Sequence, residues 1–76
     1  MNPYLRDDAV ISRMAAELRR FHFFDQLFRT RGPAKLALVQ AGFAPREVER
    51  LVDAAILYER RRREAFAVSQ SARAAA

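Results

Sequence analysis

Four consecutive arginines, Arg60, Arg61, Arg62 and Arg63, are the residues of this chain with the most chemistry in one place. A guanidinium is a planar fork that pairs equally well with a phosphate or a carboxylate. The run also has partners within reach, because Glu59 and Arg63, and Arg60 and Glu64, are four residues apart on a helix. Each such pair is worth about 0.3–0.5 kcal/mol. Self-pairing accounts for Arg60 and Arg63 without a ligand, and for Arg61 less well. Cations near a helix carboxyl end also suit its dipole.

Other reactive groups are sparse. His22 lies between Phe21 and Phe23, where partial cover by aromatics explains it better than a ligand does, and no metal-binding companions surround it. Ser12, Thr30, Ser69 and Ser71 have no nearby histidine, cysteine is absent, and no glycine-rich loop cradles a phosphate. Asp7 and Asp8 are neighbours, but adjacent helical residues point apart, and acids belong near a helix start. The expectation is a protein that is not an enzyme, with no cofactor and no metal.

A chain of 76 residues makes one domain and buries only about 60% of the surface it exposes unfolded. Without disulfides or metal, well-packed helices or self-association must support the core, and a homodimer is the expectation. At 51% hydrophobic and 30% charged residues the chain is too apolar for disorder. Its net charge of +5 is unevenly spread: nine basic residues against seven acidic up to Tyr58, then five against two in the last quarter. A basic surface attracts nucleic acid or an acidic protein without distinguishing them. No apolar run approaches the roughly 18 residues that cross a bilayer. MNPYLRDDAV lacks the basic start and apolar core of a secretory signal. A cytoplasmic location, away from membranes, is the expectation.

Hydrophobic periodicity gives three helices. Val10, Met14, Leu18, Phe21, Phe24 and Phe28 recur at three and four residues, predicting one helix from about Leu5 to Arg29, roughly 37 Å long, with a bend near Phe21. Phe23 and Leu27 point away from that stripe. With Leu57, which falls among charged residues of the third helix, they are the candidate dimer or partner interface. Gly32 is expected to end the first helix in the left-handed conformation and Pro33 to begin the second. That helix spans Ala34 to Ala41, with Leu36, Val39 and Leu38 inward. Gly42 turns the chain, Phe43 plugs the corner and Pro45 starts a third helix with Val48, Leu51, Val52, Ala55 and Phe66 on one side. Residues 1–68 form the single domain and 69–76, without large apolar residues, a disordered tail.

The segment from Pro33 to Val52 resembles the helix-turn-helix motif of small phage- and plasmid-type regulators. Gly42 is at the turn, Phe43 follows it, and Val48 and Leu51 are the branched aliphatics six and nine residues beyond. Two features depart from the pattern: Leu38 where a small residue is common, and the acids Glu47, Glu49 and Asp53 on the reading helix. The helices read above make an all-α, three-helix domain with a long basic carboxyl-terminal helix, expected to be dimeric, and the resemblance implies that it binds double-stranded DNA as a transcriptional regulator. Arg46 and Arg50 would then read guanine, while Lys35 and Arg60 to Arg63 hold phosphates. The alternative is a helical adaptor or inhibitor that docks on an acidic protein.

Overall fold

A computed structural model describes the backbone of residues 3–22 and 24–75 and the side chains of residues 7–22 and 24–70. The architecture is all-α, with no strand among the described residues: α1 (Pro3–Leu18), α2 (Phe24–Leu27), α3 (Arg31–Gln40) and α4 (Pro45–Ala75). There are four helices where three were expected, because the predicted long first helix breaks after Leu18. The amide N–H groups of Arg20 and Phe21 donate to carbonyls only three residues back, at 3.2 Å each, so the helix tightens and stops.

The break does not follow from the apolar spacing. At about 100° per residue, Met14, Phe28 and Phe24 lie roughly 40°, 80° and 120° to one side of Leu18, an arc that a single amphipathic face spans. All four residues are buried. Beyond the break, the single turn of α2 carries Phe24 into the core. Phe24 and Phe28 meet edge to face with ring centroids 5.1 Å apart. Phe21 packs on the edge of Phe28 at 5.5 Å, in the arrangement the ring quadrupoles favour.

In α3 the register differs from the expected one. Ala34 and Leu38 are buried, whereas Leu36 is 60% exposed and Val39 also faces outward. Gly32 ends no helix: α3 already begins at Arg31, and Gly42 supplies the positive φ (105°) among the described residues. There the Phe43 N–H donates to the Leu38 carbonyl (3.1 Å) and the Gly42 N–H to the Val39 carbonyl (3.0 Å). This 6→1 and 5→2 pair is the Schellman ending, which needs a residue without Cβ strain at the left-handed position. Phe43 packs against the core as expected, with the Arg13 guanidinium 5.9 Å above its ring.

Val48, Leu51, Val52, Ala55 and Ile56 carry the core face of α4, which packs most extensively on α1 and then on α3. α1 and α4 run side by side in the same direction, since Asp7 meets Arg50 near their starts and Arg19 meets Glu59 further along. α4 continues as helix to Ala75, well past the body. Phe66, expected on the core face, is 61% exposed, on a stretch of α4 (64–70) over which no described residue packs closely enough to bury a side chain. The molecule is a slab measuring 45 × 33 × 16 Å. Among the described residues no helix is long and apolar enough to cross a membrane.

Candidate functional site

The arginine run is built around a buried carboxylate. Val48, Val52, Ala55 and Glu59 follow one another at helical spacing on the inward face of α4, so Glu59 occupies a core position and is fully buried. Three guanidiniums converge on it. Arg19, from the break after α1, donates through Nε to both carboxylate oxygens at 3.3 and 3.1 Å. Arg62 donates through Nε and Nη2, each at 3.1 Å, and Arg63 through Nε at 3.1 Å. The Arg63 guanidinium also lies 4.5 Å above the Phe24 ring. Burial works to raise the Glu59 carboxyl, but the hydrogen bonds from Arg62, Arg19 and Arg63 prevail and hold it below its ordinary range.

Arg60 is occupied as well. Its Nη2 donates to the Phe28 carbonyl at 2.8 Å, capping the end of α2. The expected Glu59–Arg63 pair is formed, but inside the fold and shared with two more arginines. Of the four arginines only Arg61 has no ion-pair or hydrogen-bond partner among the described residues.

The corner end of α4 is paired too. Arg50 grips Asp7 of α1 through both terminal nitrogens, at 2.9 and 3.1 Å, a two-pronged geometry stronger than a single contact. Asp7 raises the Arg50 guanidinium further above its ordinary value through that hydrogen bond and its charge. Lys35 is hydrogen-bonded to Glu49, whose carboxyl is thereby lowered, and Arg31 meets Asp53 at 3.3 Å. Arg46 is exposed and has no such partner among the described residues. The face around the corner thus balances its cations with its own acids. Arg46 and Arg61, separated by roughly 22 Å of helix, are the two of the seven DNA-contact candidates left uncommitted.

Beside this network runs an open groove of about 590 Å³ between α1 and α4. Ile11, Ala54, Leu57 and Tyr58 give it an apolar floor, Asp8 stands at its amino end, and Arg61 and Arg62 stand at its carboxyl end. Leu57 is 47% exposed. Of the three interface candidates, Leu57 lines the groove, Leu27 is exposed on α2 outside it, and Phe23 lies outside the described residues.

Two features of the site go beyond the sequence reading. That reading makes Glu59 a surface partner of Arg63, although its spacing from Val52 and Ala55 already puts it on the inward line. It makes Asp8 a helix-start acid and gives Ile11 no role. Their place on the groove becomes visible only once α1 lies against α4. No family model, no curated protein and no solved structure matches the chain.

Proposed function

We propose that this chain is a cytoplasmic, non-enzymatic helical docking module that engages another protein through the groove between α1 and α4. One observation carries the reading: the groove joins a half-exposed apolar floor, Ile11, Leu57 and Tyr58, to charged ends of opposite sign. An exposed apolar patch rimmed by charge is the usual mark of a protein contact. The cations that would serve a nucleic acid are for the most part spent on the fold's own carboxylates, which supports the same choice. A photoreactive amino acid at position 57 should form a protein adduct in the cells that produce the chain, and one at position 46 should capture no nucleic acid. DNA captured at 46, with no protein captured at 57, would overturn the proposal.

The second reading is a DNA-binding regulator of helix-turn-helix type. It draws on the left-handed Gly42 corner and on Arg46, which is exposed at the start of α4 and has no ion partner among the described residues. It predicts sequence-selective duplex binding that Arg46→Ala relaxes and that weakens steeply with salt. Fluorescence anisotropy on defined and random duplexes separates the two, because the docking reading expects weak binding that ignores sequence and survives the substitution.

A further inference from the structure

The occupant of the groove is set by its charges, and we infer that it is a second copy of this chain laid antiparallel, with Leu57 near the two-fold axis. The inference rests on the reading of the groove as a docking surface and names what docks there. Neither Asp8 nor Arg61 has an ion-pair or hydrogen-bond partner among the described residues, yet they mark opposite ends of one apolar trough.

Because α1 and α4 run the same way along it, the groove has a direction, acidic at the start and basic at the end. A parallel copy would set Asp8 on Asp8 and Arg61 on Arg61. An antiparallel copy sets Asp8 of each protomer against Arg61 of the other, giving two complementary pairs around an apolar centre. Such self-complementarity is what a two-fold interface requires. An acidic partner would satisfy Arg61 but repel Asp8. A basic one would do the reverse.

The floor of the groove is itself open: Leu57 and Tyr58 keep 47% and 44% of their surface, apolar area that a second copy would cover.

Charge exchange tests this directly. Sedimentation equilibrium should find the full chain dimeric. Asp8→Arg and Arg61→Asp should each weaken the dimer at least roughly tenfold, because each turns both pairs into like-charge contacts. An equimolar mixture of the two variants should form a heterodimer about as tight as the original. In it the arginine introduced in one variant meets the aspartate introduced in the other, and the retained Asp8 meets the retained Arg61. Both side chains are exposed and make no hydrogen bond or ion pair among the described residues, and circular dichroism verifies that each variant folds. Leu57→Glu should give monomers.

A chain that stays monomeric at every concentration overturns the inference, and so does a mixture no tighter than either variant alone. If the chain is monomeric while a photoreactive residue at position 57 still captures a different protein, the docking reading stands and the second copy is wrong. If position 57 captures nothing, both fail.

Discussion

Arg19, the first residue beyond α1, holds both oxygens of Glu59, which lies forty positions later and is fully buried in the face of α4. The contact ties the point where α1 stops to the point where α4 begins to leave the body. Removing a buried carboxylate strands the guanidiniums gathered around it, although these three are partly exposed and can turn to water. Glu59→Gln is therefore expected to cost about 3 kcal/mol, the low end for breaking a buried ion pair. Arg19→Ala, which leaves Arg62 and Arg63 in place, should cost about 1–2 kcal/mol. Urea denaturation measures both, and equal losses would show that the arginines do not share the load.

The same carboxylate makes stability depend on pH in one direction. Its folded value lies below the ordinary 4.5, so the unfolded chain binds the proton first as acid is added. The contribution is complete above about 4.5 and is lost as pH falls through the lower folded value. Urea midpoints should hold from pH 7 to 5 and then decline, more steeply for the natural chain than for Glu59→Gln. A parallel decline in the two proteins would remove Glu59 from the account.

The two glycines should respond with opposite signs. An added Cβ meets nothing within 4 Å at either position, so backbone conformation alone decides. Gly42→Ala places a side chain at φ 105° and should cost about 1–2 kcal/mol. Gly32→Ala, inside the first turn of α3, should stabilise by about 0.5–1 kcal/mol through a less free unfolded chain. Thermal melts of the pair decide it, and a loss at both sites would contradict the assigned helix start.

The register of α3 gives a sharper contrast. Leu38 is fully buried and Leu36 mostly exposed. Leu38→Ala should cost about 3 kcal/mol, and Leu36→Ala within about 0.5 kcal/mol of nothing. A loss at Leu36 as large as that at Leu38 would restore the sequence reading, which turns both inward.

The all-α class, the short helix before Gly42, Phe43 at the corner and the core line Val48, Leu51, Val52, Ala55 were all legible, because periodicity and punctuation are local signals. Two things were not. Along α1 and α2 the apolar spacing of three and four is kept across the break, so periodicity alone joins what the structure separates. In α3, Leu36, Leu38 and Val39 are equally apolar, and only the position of α4 decides which turns inward. The site was harder still. The Glu59–Arg63 pair was legible, but Lys35, Arg50 and Arg62 pair with acids that are distant in sequence or masked by burial, and a count of charges sees those cations without their partners.

Every described side chain of α4 from Glu64 to Gln70 is exposed, roughly 10 Å of helix that no described residue clamps. That stretch is already nucleated by the clamped part of α4, so its persistence depends on residue-by-residue propagation alone. On warming, far-ultraviolet ellipticity should drift downward well before the cooperative step that unpacks Phe24 and Phe28. The molecule will melt from its tip inward.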